Sequence, residues 1–373
     1  MKARIERLRA EMREHEEAAY LITEGKNRRY LSGFSGSSGW LLVTPQQTVL
    51  LTDGRYWDQV ARQCPETELF RYTTTEHKTL SGALTRLLSE QLTLPEGSTV
   101  AVEIDDLPVS SYRTIRSALE VSGFKVSDAE GRLKRHRSQK DEQELASLRR
   151  AAAIADAALG AAFARLKPGM TEAAWKAEID YQVLLHGGEG AAFPTIVASG
   201  INGSLPHAGA SEKVIANGEL VTIDFGAIWN GYNSDMTRTV WFGDLSDHDS
   251  RLVTEVLAAQ AAAVAAARPG MTSGDLDRVA RDHLRQADLE KYFIHSLGHG
   301  VGLDVHETPT LRAGHSDLLS AGQVVTIEPG VYLPGRTGCR IEDTIVLTPE
   351  GCEVLNKFPK QQPGDSCPPL ATS

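Results

Sequence analysis

Cysteine is scarce here: 4 occur in 373 residues, and Cys64, Cys339, Cys352 and Cys367 show no C-x-x-C spacing. That pattern excludes a thiolate zinc site or a disulfide frame, so the four read as reduced thiols of a cytoplasmic protein. Long apolar runs are missing as well. No stretch approaches the roughly 18 apolar residues of a membrane span. The N-terminal MKARIERLRAEMREHE is charged through every turn, where a signal peptide would be apolar. Ile5, Leu8 and Met12 recur in it at helical spacing, which predicts an amphipathic helix. Positive charge is not in excess either. A formal net charge of -10 gives no electrostatic reason to expect nucleic acid or an anionic membrane as partner. The H-E-x-x-H zinc motif is absent. Gly298, Gly300 and Gly302 do not open a helix after a strand in the G-x-G-x-x-G pattern, which argues against nucleotide binding. They read instead as places where backbone comes close to a crowded site.

What is present suggests two α/β domains, since 373 residues are long for one core. AYLIT (19–23), GWLLVT (39–44), TVLLTD (48–53) and TVAVE (99–103) read as strands, and the pattern is helical around 83–91 and 112–121. These define an N-terminal α/β domain over 1–132. RLKRHRSQKDEQE (132–144) reads as a charged linker or the solvated start of a helix, and it opens a second domain over 133–358. The closing 359–373, rich in Pro, Gly and Ser, reads as a disordered tail.

The second domain echoes itself. KPGMT (167–171) returns as RPGMT (268–272), 101 residues on; His207 and His306 are 99 apart; GELVTIDFG (218–226) and GQVVTIEPG (322–330) set Asp224 and Glu328 104 apart. Three markers in one order at nearly one offset predict two similar halves about a pseudo-two-fold axis, with their acids meeting at the middle.

Each acid begins a hairpin. Asn230-Gly231 predicts a two-residue type I′ turn, which pairs 224 with 237 and puts Asp224 and Asp235 on one face. Pro334-Gly335 marks the second turn, and a three-residue loop over 334–336 would set Glu328 opposite Glu342, whereas a four-residue loop would flip one of them. Singly, each acid could be a solvated strand end. Four carboxylates driven into one interior, however, cannot all stay ionised without counter-charge. Two divalent cations would supply it, and oxygen-rich ligation suits manganese, cobalt or zinc in a two-metal hydrolase. HSLGHGVGLDVHE adds His295, His299 and His306 within 12 residues.

The stretches DFGAIWNGYNSDMTRT, GHGVGLDVHE, TIEPGVY and RIED resemble the metallopeptidase family with the pita-bread fold, which includes Xaa-Pro aminopeptidase, prolidase and methionine aminopeptidase. The likeness covers about residues 140–358. FPTIVASGINGSLPHA is similar to the proline-specific branch, and YLSGFSGSSGWLLVT and LLTDGRYWDQVA to the N-terminal domain of Xaa-Pro aminopeptidases. The resemblance implies that Asp224 and Asp235 hold one metal and His299 and Glu328 the other, with Asp235 and Glu342 bridging. It implies two divalent ions, manganese first, with zinc or cobalt as alternatives. Glu328 would also move the proton, while His207 and His306 would steady the tetrahedral oxyanion. His295 and Arg340 resemble residues lining the proline pocket, although Arg340 could equally pair with the acid cluster. Tyr232, Phe193 and Tyr332 read as hairpin or core aromatics.

The activity so implied is that of a dinuclear-metal exopeptidase releasing the residue before proline, an Xaa-Pro aminopeptidase. The alternative is an Xaa-Pro dipeptidase, which differs in what closes the far end of the pocket. A non-catalytic binding module would be expected to have lost a ligand, and all five are present. Peptides with proline second are the implied partners, and relatives imply a homodimer or a higher homo-oligomer.

Overall fold

Short runs of Leu, Val and Ile build the first part of the molecule. The structure, a computed structural model, describes residues 1–92 and 94–365. It divides into two units, Met1–His136 and Arg137–Ser373. In the first unit six strands, β1 (Glu17–Ile22), β2 (Trp40–Val43), β3 (Thr48–Thr52), β4 (Glu68–Arg71), β5 (Thr99–Glu103) and β6 (Lys125–Ala129), form one mixed sheet in the order β4-β3-β2-β1-β5-β6. Leu21, Leu42, Leu51, Val100 and Val102 pack from it against Leu84, Leu88, Ile115 and Leu119 of the helical segments. The four strands expected from sequence are the central ones. The two unforeseen strands are the edges, ELFR and KVSDA, whose exposed charged residues break the alternation that would signal a strand. The helix foreseen at the N-terminus runs Lys2–Glu14 and buries Leu8 and Met12.

The repeat in the second unit is visible element by element. Helices Glu142–Phe163 and Glu172–Leu185 answer to Asp247–Ala266 and Ser273–Gln286. Each PGMT turn ends in a threonine that caps the following helix: Thr171 Oγ1 accepts from Ala174 N at 3.1 Å and Thr272 Oγ1 from Asp275 N at 3.0 Å. Such caps contribute about 1 kcal/mol each. The turns need a left-handed residue, supplied by Gly169 (φ 88°) and Gly270 (φ 84°).

The strands β7 (Ile196–Ser199), β8 (Val221–Phe225), β9 (Ile228–Trp229), β10 (Tyr232–Asn233) and β11 (Met236–Val240) belong to the first half. The second half has β12 (Gly298–Gly300), β13 (Glu307–Leu311), β14 (Val324–Ile327), β15 (Gly330–Leu333), β16 (Thr337–Arg340), β17 (Asp343–Thr348) and β18 (Gly351–Val354). Sheets β11-β8-β7 and β13-β12-β14-β17-β18 carry the two halves, each with its own apolar core. Both echoing stretches are central strands, β8 and β14.

The hairpin registers agree with the expectation. Asp224 pairs with Thr237, Trp229 with Tyr232, and Asn230 and Gly231 both have positive φ, 48° and 71°. In the other hairpin Leu333 pairs with Thr337, leaving residues 334–336 as the loop, and Ile327 pairs with Asp343. That register sets Glu328 opposite Glu342.

Two stretches differ from the sequence reading. The charged run over 132–144 is a helix, Arg132–Ser138, followed by the start of Glu142–Phe163 with an Asp141–Glu144 capping box. Arg132, Arg137, Lys140 and Glu144 within it are buried, because each finds a polar partner inside the fold. Of the stretch read as a tail, Lys360 and Gln361 are anchored: Gln361 bonds the backbone of Trp241 in both directions, and Lys360 pairs with Asp343. Residues 366–373, Cys367 among them, lie outside the described residues, where Cys64, Cys339 and Cys352 are free thiols.

Glu103 ends β5 almost wholly buried and accepts from the backbone N–H groups of Thr23 (3.1 Å) and Glu24 (2.9 Å) and from Asn27 Nδ2. Burial outweighs those bonds and pushes its carboxyl up to about 7 from 4.5. The folded state therefore holds this proton more tightly than the unfolded chain. The associated stability is present below pH 4.5 and is lost as pH rises to about 7. Glu103→Gln is expected to flatten the decline in denaturation midpoint between these limits; an unchanged slope in urea melts would show that Glu103 does not titrate there.

Candidate active site

Period-two alternation along the two hairpins sends their acids to one place. Asp235, His299 and Glu342 each offer a ligand atom within 4.8 Å of the other two. His299 Nε2 lies 3.3 Å from Glu328 Oε1 and 3.7 Å from Asp235 Oδ2. Asp224 joins from β8, one oxygen accepting from Arg340 Nη2 at 2.6 Å. The five predicted ligands thus lie at one cluster, four from the hairpins and His299 from β12.

The cluster fits a cation. Asp224 Oδ1 is buried and has no hydrogen-bond partner, a cost of about 1–3 kcal/mol unless something electropositive meets it. His299 Nδ1 faces the Gly300 carbonyl at 3.1 Å. Since a carbonyl only accepts, Nδ1 carries a proton, and Nε2, on the side of the carboxylates, is the nitrogen left to ligate a cation once it gives up its own proton. Carboxylate oxygens with one imidazole suit a divalent ion of the manganese, cobalt or zinc type.

Without a cation the charges are ill-matched. Burial, then the Glu342 charge, raises Asp235 well above the usual carboxylate range. Burial, then the Glu328 charge, does the same to Glu342. Asp224 is raised by burial despite Arg340. Glu328 goes the other way: burial would raise it, but the His299 hydrogen bond and charge hold it down to about 2. His299 is correspondingly raised; burial opposes its charge, and Glu328 more than offsets that.

A second chain of polar contacts runs beside the acids. Arg340 Nη1 donates to Tyr332 Oη at 2.7 Å, and Tyr332 Oη lies 2.9 Å from His295 Nε2. His295 Nδ1 meets the Ser296 carbonyl at 2.8 Å, so Nδ1 is the donor and Nε2 accepts from the tyrosine. Arg340 also donates to the Pro206 carbonyl at 3.1 Å. Its pairing with the acid cluster is therefore present, and the same guanidinium reaches the segment before His207. His306 packs its ring on His299 with centroids 4.2 Å apart. His207 is solvent-exposed and follows Pro206, whose carbonyl Arg340 reaches.

Sequence reasoning missed three contributors. Tyr332 is the bridge between His295 and Arg340 and not a plain core aromatic. Thr237 Oγ1 donates to Glu342 Oε2 at 2.6 Å, and Thr326 Oγ1 to Glu328 Oε1 at 3.1 Å. Both threonines sit two residues from a ligand, Asp235 or Glu328, so strand periodicity places them on the same face; that was the available signal. Gly298 serves the close approach expected of it: a Cβ there would lie 2.0 Å from the Thr326 carbonyl oxygen.

Residues 146–349 match metallopeptidase family M24, and residues 4–139 match the creatinase/prolidase N-terminal domain. The chain belongs to metallopeptidase family M24, a family that works with divalent metal ions. Among its relatives is the Xaa-Pro dipeptidase of Pyrococcus furiosus, 36% identical over 97% of this chain and 99% of that one. Among solved structures, Xaa-Pro dipeptidase from Bacillus anthracis superposes with a TM-score of 0.91 at 35% identity, covering 97% of this chain and 99% of that one. X-Pro aminopeptidase from Thermotoga maritima gives 0.88 at 35% identity, covering 96% and 99%. The expected fold, an N-terminal α/β domain followed by the pita-bread metallopeptidase domain, is the fold of these proteins. Among the described residues, no helix is long and apolar enough to cross a membrane.

Because Asp235 and Glu342 hold protons that exposed carboxyls lose, the metal-free fold loses their contribution as pH rises from the ordinary carboxylate range through their raised values. A bound cation removes that penalty. The rise in melting temperature on adding Mn²⁺ to chelator-treated protein should therefore be larger at pH 8 than at pH 6. An equal rise at both would mean that these carboxylates do not hold the ion.

Proposed function

We propose that this protein is a dinuclear-metal Xaa-Pro dipeptidase that hydrolyses the bond between a first residue and a C-terminal proline, with manganese as the first choice of metal. One observation carries the reading: Asp224, Asp235, His299, Glu328 and Glu342 converge in a cluster whose four carboxylates can all be ionised at once only when cations are bound. The length preference departs from the aminopeptidase expected from sequence. Relatives covering nearly the whole chain are named Xaa-Pro dipeptidase or prolidase, which favours the dipeptide substrate. The Thermotoga maritima structure keeps Xaa-Pro aminopeptidase as the second reading. The expectation of a cytoplasmic homodimer goes with the same proposal.

Asp224 and Asp235 would hold one ion and His299 and Glu328 the other, with Asp235 and Glu342 shared. Bound divalent ions supply Lewis acidity and bring the pKa of water towards neutrality. The chain's own residues do the rest. Glu328 keeps one oxygen on Thr326 and His299 and is 15% exposed, so water reaches it. Its other oxygen takes the proton of the attacking water and returns it to the leaving proline nitrogen. That nitrogen belongs to a tertiary amide with no N–H, so it needs a proton but offers no donor for extended-strand recognition. His306, whose pKa is lowered by burial and then by His299, acts as a neutral N–H donor. With His207 it meets the carbonyl oxygen as charge develops there. His295 and Arg340, linked through Tyr332, form the wall against which the proline ring rests.

The test is to strip the metal, restore Mn²⁺ and compare Xaa-Pro with Xaa-Pro-Xaa peptides. The dipeptide should be cleaved only with metal, and the tripeptide about 10-fold more slowly or worse. A faster tripeptide would make the enzyme an aminopeptidase, and no metal-dependent cleavage of either would remove the peptidase reading. Glu328→Gln is expected to lower kcat by about 100-fold or more; full activity in that variant with metal retained would refute its role in proton transfer.

A further inference from the structure

The His306 ring makes no hydrogen bond among the described residues, and its ring contact is with His299. Its placement is therefore inherited from the backbone of residues 301–306, the loop between β12 and β13. That loop is held from two sides. From the first hairpin, Asn233 donates through its backbone N–H to the Gly302 carbonyl at 2.9 Å, and through Nδ2 to the carbonyls of Gly302 (3.0 Å) and Leu303 (3.1 Å). Asn233 stands two residues before Asp235, so the loop is tied to the strand that delivers a metal ligand.

From the other side comes a knot of four charges, three of them buried and the fourth, Asp304, 31% exposed. Arg137 Nη2 bridges the carboxylates of Asp304 and Glu307, and Lys140 Nζ donates to Glu307 Oε2 at 3.2 Å. Glu307 Oε1 in turn accepts from the Asp304 backbone N–H at 3.0 Å, which closes the loop on itself. The side chains of Arg137, Lys140 and Glu307 are 3%, 1% and 6% exposed. Gly302 leaves room for the carboxylate, since a Cβ there would lie 2.6 Å from Glu307 Oε2. Lys140 is fixed in turn by its backbone N–H on the Gly322 carbonyl at 2.9 Å. Net stability is a weak account of such a knot, because replacing buried ion pairs by a packed apolar cluster of the same volume is often neutral or stabilising. What ion pairs add is a fixed direction, and Glu307 is covalently next to His306.

We propose that Arg137, Lys140, Asp304 and Glu307, with Asn233, form a positioning unit that fixes His306 over the metal cluster for the reaction. The inference rests on the peptidase reading above, in which His306 meets the substrate carbonyl. None of these residues belongs to the predicted ligand set, and their effect runs through the loop.

The test is a double-mutant cycle of Glu307→Gln with His306→Ala on the Mn²⁺-loaded enzyme, with amide hydrogen exchange measured over 301–306. Glu307→Gln should lower kcat/KM by roughly 10- to 100-fold, mostly in kcat, and change it less than about twofold once His306 is alanine. Exchange over 301–306 should quicken while the rest of the catalytic unit holds. An equal loss in both backgrounds, or unchanged exchange, overturns the proposal. Asn233→Ala removes two bonds to the loop without stranding a charge and should show the same dependence on His306, so the proposal stays testable if Glu307→Gln fails to fold. The unmodified enzyme is assayed alongside. Failure of its Xaa-Pro hydrolysis sinks the peptidase reading and this inference with it, whereas intact hydrolysis with additive losses sinks the positioning unit alone.

Discussion

The second unit is organised around a single electrostatic constraint: several carboxylates share a site with little water. Asp235 and Glu342 are nearly sealed, and Asp224 and Glu328 are only 14% and 15% exposed. Each anion so placed costs several kcal/mol unless it is paired. Arg340 neutralises part of Asp224, and Thr237 and Thr326 give single hydrogen bonds to Glu342 and Glu328. The remaining charge calls for metal, and the strands, hairpins and glycines can be understood as the means of holding the acids close enough to share it.

Much of this was legible in sequence because it is local. Asn230-Gly231 fixes a two-residue turn, and once the turn is fixed, period two decides which side chains share a face. The repeat was legible for a similar reason, since the PGMT caps and VTI-acid strands are short and self-contained. The knot around Glu307 was not. Arg137 and Lys140 lie 170 and 167 residues from their partner, and a run as charged as RLKRHRSQKDEQE looks solvated until those partners are known. Tyr332 is the buried hairpin aromatic expected, but the role of its hydroxyl was hidden on similar grounds, since only the fold brings His295 and Arg340 to it. In the first unit the edge strands were missed because an edge tolerates the charges that hide its alternation.

The duplication also explains why the two halves are not copies at the site itself. In the registers observed, Thr237 pairs with Asp224, and Glu342 falls opposite Glu328, so Thr237 and Glu342 occupy equivalent places. Asp235 falls opposite Gly226 as Arg340 pairs with Gly330, which makes Asp235 and Arg340 equivalent too. Strict symmetry with the acids would bring six carboxylates to the axis. Instead each half supplies one second acid, and the matching place in the other half supplies a donor that touches an acid: Thr237 bonds Glu342, and Arg340 bonds Asp224.

The same comparison accounts for the full form of the echo, acid-x-Gly. The glycine faces the position that holds Asp235 in one half and Arg340 in the other. A Cβ on Gly226 would lie 1.8 Å from the Ser234 carbonyl oxygen, and one on Gly330 would lie 2.4 Å from Tyr332 Oη and 2.9 Å from His295 Nε2. The first glycine therefore lets the two strands of the acidic hairpin close up, and the second leaves room for the tyrosine–histidine contact. One backbone pattern thus serves two chemistries. On the first half it seats Asp235 beside Asp224, and on the second it sets the donor chain from Arg340 to His295 beside Glu328, whose Oε1 accepts from Thr326.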